Sequence, residues 1–290
     1  MISRPGSSIP MEVEVRPARP SDKAPLMSFI KDVWGGHDYI PQVWDIWIRD
    51  TKNRMFVVVV DGVPVGMNRI RFMDDGSAWF EGARIHPRFR SQGLGTMLGE
   101  NSLEVAKRMG VRTYRLTSGS TNHPAHRQIA RIGFREVARF RVYEPPKRHR
   151  GGGGPEMVGP GEAREAFRSI RETAEFRLAH GVFWQSFAAT SLTEAAFGSL
   201  IAEKSVWRLG RALAIARRGG EVEDWEQLSF VGGATEDAVN LAKALLGRRR
   251  EAAERMAFIP KGSRLIHALR AEGFKRSYSN ILFERRATKG

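Results

Sequence analysis

The stretch IHPRFRSQGLGT at residues 85–96 decides the fold, because it joins a predicted strand to a predicted helix through a glycine-rich loop. Residues 78–86 favour a strand, and apolar residues at helical spacing favour a helix over residues 94–109. Gly93 and Gly95 would let the backbone approach a ligand with no side chain in the way. The N-terminus of the helix adds unsatisfied N–H groups and a partial positive charge, which suit a pyrophosphate. The alternative is an ordinary strand–helix turn that uses glycine for tightness.

Strands and helices alternate on both sides of this loop. Residues 55–60 and 63–72 are apolar runs separated by Asp61-Gly62, which is a strong hairpin signal because both turn residues need positive φ. The first half therefore has the predicted order β-α-α-β-β-β-α-β-α-β. The predicted strands are residues 13–16, 55–60, 63–72, 78–86, 111–117 and 134–143, and the predicted helices run from the Ser21-Asp22 cap to Trp34 and over residues 41–50, 94–109 and 125–132.

A proline- and glycine-rich segment, PPKRHRGGGGP at residues 145–155, predicts a boundary between two domains. Proline removes backbone donors, and four consecutive glycines leave the chain with great conformational freedom. We therefore expect a flexible N-terminus at residues 1–11, a first domain at residues 12–146, a linker at residues 147–155 and a second domain at residues 156–290.

The second half repeats part of the pattern of the first. A predicted short helix ends at Gly133-Phe134 in the first half and at Gly273-Phe274 in the second, and a strand follows each. This similarity favours a diverged internal duplicate, while the alternative is that glycine is simply a common helix C-cap. The predicted strands are residues 206–217, 226–231, 255–259 and 274–283, and the predicted helices are residues 235–246 and 263–271.

Composition narrows the class of protein. The 290 residues include no Cys, which excludes a disulfide framework, a thiolate zinc site and a cysteine nucleophile. No apolar run approaches 18 residues and the N-terminus lacks a signal-peptide pattern, so we expect a soluble, cytoplasmic protein without a membrane partner or a bound metal. The net charge of +15 favours anionic partners. The alternative source of the excess arginine is a GC-rich coding sequence or a hot habitat. The arginine run at residues 248–250 is interpreted as a solvated helix end.

The glycine-rich loop belongs to a set of motifs with characteristic spacing. The pattern R-x-x-G-x-G at residues 90–95, N-x-x-A at residues 122–125 and Gly-Phe at residues 133–134 together resemble the GNAT superfamily of N-acetyltransferases, over about residues 12–144. The resemblance implies an α+β fold with a mixed sheet flanked by helices, and we expect a second, degenerate GNAT-like α/β unit to follow it. It also implies acetyl-CoA as cosubstrate and a primary amine as acceptor, whether a small amine, an amino acid or a peptide or protein amine.

The same resemblance implies a set of cofactor contacts. Backbone amides of the loop would bind the pyrophosphate with an arginine side chain nearby, and the end of the preceding strand would pair with the pantetheine arm and the acetyl carbonyl. The residues implied are Ala83, Ile85, Arg90, Ser91, Gln92, Gly93, Leu94, Gly95, Thr96, Asn122 and Ala125.

The catalytic groups depart from the family pattern. The family often uses a Tyr seven residues after the Asn as general acid, but that position is Ile129 here. His126 lies on the same predicted helix, away from the required face, so the general acid stays undetermined. Glu81 on the preceding strand is the candidate catalytic base, since a family carboxylate there can deprotonate the amine. The alternative is a structural ion pair with an arginine on a neighbouring strand: Arg69, Arg71 or Arg112.

Acceptor recognition in the family usually falls to the first helices and their loop. In this sequence Gly35-Gly36 would let that loop approach the site, and the candidate acceptor-binding residues are Trp34, His37, Asp38 and Tyr39. The alternative for the tryptophans in this region is a place in the core. Residues 38–41 together with residues 81–85 resemble a branch that includes histidine N-acetyltransferase-like proteins, which suits an amine or amino-acid acceptor.

Two other functions are compatible with parts of the sequence. The absent Tyr would suit a non-catalytic acyl-CoA-binding regulatory protein, and the basic stretch at residues 127–150 would suit nucleic acid. No aromatic-interleaved RNA motif or zinc-finger pattern accompanies that stretch, so nucleic acid is not expected as a partner. The second half has no R-x-x-G-x-G pattern, and we expect it to bind no cofactor. A homodimer is left open.

Overall fold

The computed structural model describes residues 2–3, 10–146, 154–219, 225–247 and 254–287. Most of the predicted linker at residues 147–155 and the arginine run at residues 248–250 lie outside the described residues. Within the described chain, no helix is both long and apolar enough to span a membrane.

Two compact units share the chain. The first comprises Met1–Leu116, His123–Arg135 and Glu284–Gly290, and the second comprises Thr117–Asn122 and Glu136–Phe283. Each unit thus contains residues from both halves of the sequence. This grouping does not coincide with the predicted contiguous domains, which stay a prediction, because a strand before the linker groups with the second unit and the last residues group with the first.

The first unit alternates strands and helices in the predicted order. The expected helix from Ser21-Asp22 to Trp34 is shorter than predicted, since α1 ends at Ile30 and a separate 3₁₀ turn follows at Val33–Gly36. The elements are β1 Ile2–Ser3, β2 Pro10–Met11, β3 Val13–Pro17, α1 Lys23–Ile30, α2 Ile40–Arg49, β4 Arg54–Val60, β5 Val63–Phe72, β6 Ala78–Ile85, α3 Leu94–Arg108, β7 Thr113–Gly119 and α4 His123–Arg131.

The sheet of the first unit runs in the order β3-β4-β5-β6-β7, antiparallel except for the parallel pair β6 and β7. The β4–β5 hairpin turns at Asp61 and Gly62, with φ of 48° and 79°, which confirms the predicted turn. Met55, Val57 and Val59 alternate along β4 and pack on α1 and α2 in one core cluster. The helix α3 packs against β4, β5 and β6.

A β-bulge interrupts β6 close to its C-terminal end. Arg69 pairs with Glu81 and Met67 pairs with Arg84, so Gly82 and Ala83 together oppose a single residue of β5. Gly82 has φ of 68°, and a Cβ there would lie 2.8 Å from the Trp47 ring. Only glycine therefore fits between the bulge and α2.

The second unit is also mixed α and β. Its strands run in the order β8-β15-β14-β13-β12-β9, antiparallel except for the parallel pair β14 and β15. The elements are β8 Arg135–Glu144, β9 Glu156–Met157, α5 Ala163–Glu172, α6 Ala174–Leu178, β10 Val182–Gln185, β11 Ala188–Ser191, α7 Glu194–Ala202, β12 Val206–Leu209, β13 Ala212–Arg218, β14 Trp225–Gly233, α8 Thr235–Leu246, β15 Glu254–Pro260, α9 Leu265–Ala271 and β16 Lys275–Arg286.

The prediction of one strand over residues 206–217 is wrong. The segment forms a hairpin of β12 and β13 that turns at Gly210, whose φ is 54°. The backbone N–H of Arg211 donates to Asp237 at 2.8 Å, which fixes the turn against α8. The helices of the second unit cover two apolar clusters, one around α8 and α9 and one around α5 and α7. The predicted mixed sheet flanked by helices is confirmed.

Candidate active site

The loop between β6 and α3 has the bent backbone that its glycines predicted. Ser91 has φ of 62° and Gly93 has φ of 84°, and both residues are exposed. Gly93 caps α3, and in the described chain no side chain caps this N-terminus. The first N–H groups of the helix therefore have no partner within the helix. Together with the helix dipole, they favour an anionic ligand.

Gly95 has a second reason to be glycine. A Cβ at Gly95 would lie 2.7 Å from the amide nitrogen of Gln128 on α4, and a Cβ at Gly99 would lie 2.8 Å from the side chain of Ile132. The two glycines are one turn apart on α3, so they form a groove that receives α4. A Cβ at Gly93, by contrast, meets nothing within 4 Å. A substitution at Gly93 therefore tests the loop without disturbing this helix packing.

The end of β6 extends beyond its pairing with β7. The paired residues end at Phe80 and Leu116, and farther along β6 Ala83 is exposed and Ile85 is partly buried. The carbonyl of Ala83 accepts a hydrogen bond from Arg84 Nη1 at 3.0 Å, and the carbonyl of Ile85 accepts one from Arg90 Nε at 3.3 Å. The predicted cofactor residue Arg90 thus lies against the predicted strand edge.

The other predicted cofactor residues lie within the loop, in the first turn of α3, and just before or within α4. Asn122 is exposed and its N–H donates to the carbonyl of Gly119 at 3.0 Å, immediately before α4 begins. Ala125 is a partly buried residue of α4, and Thr96 is a partly buried residue of α3. The side chain of Gln92 donates to the carbonyl of Arg88 at 3.0 Å. The Leu94 side chain is buried, so its contribution to a ligand would come from its N–H.

Glu81, the predicted base, lies between two arginines. Its Oε1 accepts a hydrogen bond from Arg69 Nη1 at 2.8 Å, and its Oε2 lies 3.4 Å from Arg71 Nη2. Arg69 also donates to Asp50 at 2.6 Å and stacks over the Trp47 ring, 4.5 Å from its centroid. These contacts are the structural ion pairs that the sequence offered as the alternative to a catalytic role for Glu81. The assignment of Glu81 as base stays a prediction.

Asp38 is fully engaged by protein groups. Its carboxylate accepts hydrogen bonds from Arg84 Nε at 2.6 Å, from Arg84 Nη2 at 3.1 Å and from the N–H of Ile40 at 3.0 Å, and its side chain is 0% exposed. The bidentate pair joins the start of α2 to the bulge of β6. Asp38 thus fixes the segment before α2, which is the predicted acceptor loop, and its oxygens are directed at protein groups.

Residues 24–134 match the acetyltransferase (GNAT) family, a segment that includes the loop, the bulge and both α3 and α4. This segment is similar to a GNAT acetyltransferase domain and is called the GNAT domain below.

Solved structures extend the likeness of fold beyond that domain. A GCN5-related N-acetyltransferase from Sphaerobacter thermophilus superposes with a TM-score of 0.63 at 17% identity and covers 96% of each chain. A putative acetyltransferase from Thermoplasma acidophilum gives a TM-score of 0.60 at 18% identity over 94% of this chain and 100% of that chain. At these identities the likeness concerns the fold alone, and it reaches nearly the whole chain.

Curated relatives match part of the chain. Histidine N-acetyltransferase of Oreochromis niloticus is 28% identical over 83 residues, which cover 28% of this chain and 25% of the relative. Histidine N-acetyltransferase of Xenopus tropicalis is 27% identical over 142 residues, which cover 48% of this chain and 40% of the relative. The chain therefore matches between a quarter and two fifths of the length of these relatives.

The position at which the resemblance implies a general acid lies on helix α4. Ile129 stands at that position and is 8% exposed, as part of the apolar core. His126 packs edge-on against His123, with ring centroids 5.7 Å apart. An apolar side chain cannot donate a proton, so protonation of a leaving group would need another donor.

Tyr39 and His37 are the predicted acceptor residues that reach the surface of the GNAT domain. Tyr39 is 38% exposed, and its ring contacts the Trp47 ring at 5.9 Å and the Arg84 guanidinium at 5.6 Å. Desolvation of the hydroxyl and the charge of Glu81 raise the pKa of Tyr39 above its usual value, so the phenol stays protonated at neutral pH. His37 is exposed, while the Trp34 side chain lies outside what the structure describes.

Two residues of the GNAT domain that matter for the site were not assigned from the sequence. Gln128 lies against Gly95, and Arg84 binds Asp38. Arg84 lies next to the bulge of β6. A glycine inside a predicted strand, here Gly82, often marks a bulge and could have indicated this one. Nothing in the sequence indicates the contact of Gln128, because it depends on how two helices cross.

Proposed function

We propose that this chain is an N-acetyltransferase that moves the acetyl group of acetyl-CoA to a primary amine. The observation that carries the proposal is the exposed, positive-φ loop at the uncapped start of α3, beside the extended edge of β6. The match of residues 24–134 to the GNAT family supports the same reaction class.

The residues present fit acetyl-CoA, which would supply an acetyl group activated as a thioester. The backbone N–H groups from Ser91 to Thr96 suit its pyrophosphate, since Gly93 presents no Cβ and Ser91 adopts a left-handed conformation. Main-chain groups of Ala83 and Ile85 suit the pantetheine arm. Their carbonyls already accept one arginine N–H each, and a carbonyl oxygen has a second lone pair for another donor.

In the proposed reaction the neutral amine nitrogen attacks the thioester carbonyl carbon. The new C–N bond forms and the C–S bond breaks, the nitrogen loses one proton, and the departing thiolate gains one. Before the attack, Glu81 would accept one proton from the ammonium form of the acceptor, and the proton that the nitrogen loses after the attack would go to the thiolate. N–H groups at the bulge would stabilise the developing oxyanion. Because the usual acid position is Ile129, positioning of amine and thioester would carry much of the rate.

The acceptor is proposed from the relatives. Two of them carry the name histidine N-acetyltransferase, which makes amino acids the first class to assay, beside small amines and peptide amines. The low identity and partial coverage leave the individual acceptor open. The predicted cytoplasmic location, the homodimer and the lack of nucleic-acid and membrane partners stay predictions.

A second candidate function is a non-catalytic protein that binds acyl-CoA. Two observations favour it, namely Ile129 at the position of the usual acid and the pairing of Glu81 with arginines. Both candidates require the cofactor loop, and only the enzyme turns over acetyl-CoA.

Release of CoA thiol and mass of the acetylated product separate the two candidates. The full chain should bind acetyl-CoA in calorimetry and release CoA only when an amine is present. Binding without turnover across free amino acids, polyamines and peptides would favour the regulatory protein. Absence of binding would remove both candidates.

A further inference from the structure

Six charged side chains gather where β5 and β6 face α2 in the first unit. Arg69 stacks on Trp47 of α2, and Arg84 stacks on Tyr39 just before α2. The six are Asp38, Asp50, Glu81, Arg69, Arg71 and Arg84. Three carry a positive charge and three a negative charge, so the cluster is formally neutral.

The ion pairs in this cluster differ in strength. Asp38 is bound by Arg84 at 2.6 and 3.1 Å, and Arg69 is bound by Asp50 at 2.6 Å and by Glu81 at 2.8 Å. Only the contact between Arg71 and Glu81, at 3.4 Å, exceeds normal hydrogen-bond length. A buried Nε without a hydrogen-bond partner among the described residues is common to Arg69 and Arg71, but Arg69 makes two ion pairs within 2.8 Å. Arg71 is therefore the cation of the three that has the longest ion pair.

The weakest pair is also the most accessible. The side chains of Arg71 and Glu81 are 20% and 13% exposed, compared with 11% and 0% for the pair of Arg84 and Asp38. In the pair of Arg69 and Asp50 the carboxylate is 21% exposed, but its guanidinium is only 3% exposed. Among the described ion pairs of the cluster, the Arg71–Glu81 pair is therefore the one in which both charges are accessible. Tyr39, a predicted acceptor residue, lies in the same electrostatic environment and retains 38% exposure. A small polar ligand can thus reach this pair more readily than any tighter pair of the cluster.

We propose that the Arg71–Glu81 pair binds the two charges of a free α-amino acid, with the acceptor carboxylate on Arg71 and the acceptor ammonium on Glu81. This inference rests on the proposed acetyl transfer and names its acceptor class. The zwitterion replaces one long ion pair by two contacts, and the formal charge of the cluster does not change.

The chemistry of the pair distinguishes amino acids from other amines. A guanidinium can bind a carboxylate in a bidentate manner, which a simple amine does not require. Glu81 keeps the hydrogen bond from Arg69 and accepts the proton that leaves the ammonium group, which produces the neutral nucleophile. A lysine side chain, a peptide N-terminus or a simple amine has no carboxylate beside its nitrogen and would leave Arg71 without this partner.

Matched acceptors test the inference on the full chain. L-Histidine against histamine, and L-phenylalanine against phenethylamine, differ only in the carboxylate. We expect kcat/KM for each amino acid to exceed that of its amine by about 10- to 100-fold, the usual effect of one charged hydrogen-bonded contact. Equal values for both members of each pair would overturn the inference while leaving the acetyl transfer intact.

Arg71→Gln provides the second arm. It should lower the ratio of kcat/KM between each amino acid and its matched amine by about 10- to 100-fold, mainly through KM for the amino acid, and Arg71→Lys should restore part of that ratio. Arg54→Gln is the control, because Arg54 lies exposed on the same sheet and donates only to loop carbonyls among the described residues. An equal loss for both members of each pair in Arg71→Gln would show a structural role and overturn the inference.

A chain that has no acetyltransferase activity is distinguished from a wrong acceptor assignment by measuring turnover and binding separately. If the chain turns over no acceptor of any class, the proposed acetyl transfer fails. Calorimetry with L-histidine and acetyl-CoA then decides the inference, which requires amino-acid binding that Arg71→Gln abolishes. A wild-type chain that does not bind L-histidine, L-phenylalanine or other free amino acids overturns it.

Discussion

The two units differ most in the length of the connection between the long helix and the strand before it. In the first unit residues 86–93 separate β6 from α3, whereas in the second unit Ala234 alone separates β14 from α8. Both helices follow a strand with a parallel neighbour, β7 in one unit and β15 in the other. The same arrangement of strand and helix thus exists with and without the length of chain that could bend N–H groups around a pyrophosphate.

In the second unit, helix α6 covers the end of β14 that leads into this connection. The helix α6 packs against β14 and β15, and a Cβ at Gly232 would lie 3.1 Å from the side chain of Glu175. Glu175 is 5% exposed and accepts a hydrogen bond from the Ser263 hydroxyl at 2.7 Å. Ser263 follows β15 as Asn122 follows β7, since each N–H donates to the carbonyl of the last residue of its strand. The second unit therefore lacks two features that accompany the proposed cofactor site of the first unit, namely the long loop and the end of a strand that extends beyond its pairing.

The largest effect should come from removing the length difference itself. Replacing residues 86–93 by one Ala gives the first unit the connection of the second and removes the positive-φ backbone at Ser91 and Gly93. We expect acetyl-CoA affinity to fall at least about 1,000-fold, because the phosphate contacts disappear together. Calorimetry measures the affinity, and circular dichroism with thermal unfolding verifies the fold. A folded variant that retains its affinity would contradict the role given to the loop.

The next effect concerns the proposed base, Glu81, which follows the last residue of β6 that pairs with β7. The matching residue of the second unit, after the last residue of β14 that pairs with β15, is Ser229, so no carboxylate stands there. If Glu81 accepts the amine proton, Glu81→Gln should lower kcat by about 10²–10⁴-fold with acetyl-CoA binding unchanged, and the acidic limb of the pH–rate profile should vanish. Glu104→Gln, on the exposed face of α3, is the control. Normal turnover combined with a lower unfolding temperature would instead establish Glu81 as a structural partner of Arg69 and Arg71.

A smaller effect should follow from one side chain in the loop. Gly93→Val adds a β-branched side chain at a φ of 84° where the pyrophosphate would approach, so acetyl-CoA should bind at least about tenfold more weakly. Gly110→Val is the matched control, since Gly110 has φ of 79° at the opposite end of α3 and its Cβ would also meet no described atom within 4 Å. Both variants carry the same backbone strain, and equal affinities would mean that the loop does not bind the cofactor.

The elements of the first unit could be predicted because their signals are local. Asp61-Gly62 specifies a hairpin and Gly93 specifies a helix start, whatever the rest of the chain does. The turn at Gly210 escaped prediction because the residues on both sides of it, Leu209 and Ala212, continue an apolar run. The role of Asp38 also escaped, because its partner Arg84 is distant in sequence and the pairing depends on a bulge.

The closing contacts of the first unit depend on still longer range. Arg115 on β7 binds Glu284 on β16 at 2.9 Å, and both side chains are buried. A pair separated by more than half of the sequence leaves no local pattern, so contiguous domains were the natural expectation. The sequence indicated that the second half lacks a phosphate loop, but it contained no sign that Glu175 would occupy the corresponding place.

The smallest expected effect separates the two reasons why the second unit should bind no cofactor. Wild-type chain should bind one acetyl-CoA in calorimetry. Glu175→Ala removes the buried carboxylate beside Gly232 and should lower the free energy of unfolding by about 1–3 kcal/mol, because Ser263 loses its partner. Stoichiometry and affinity for acetyl-CoA should nevertheless stay unchanged, since Ala234 still joins β14 directly to α8 and no phosphate loop exists there.

Glu172→Ala, exposed on α5, is the control for stability. A second binding event in Glu175→Ala would show that occupation of the strand edge, and not the missing loop, keeps the cofactor out, and two events in the wild type would refute the distinction between the units.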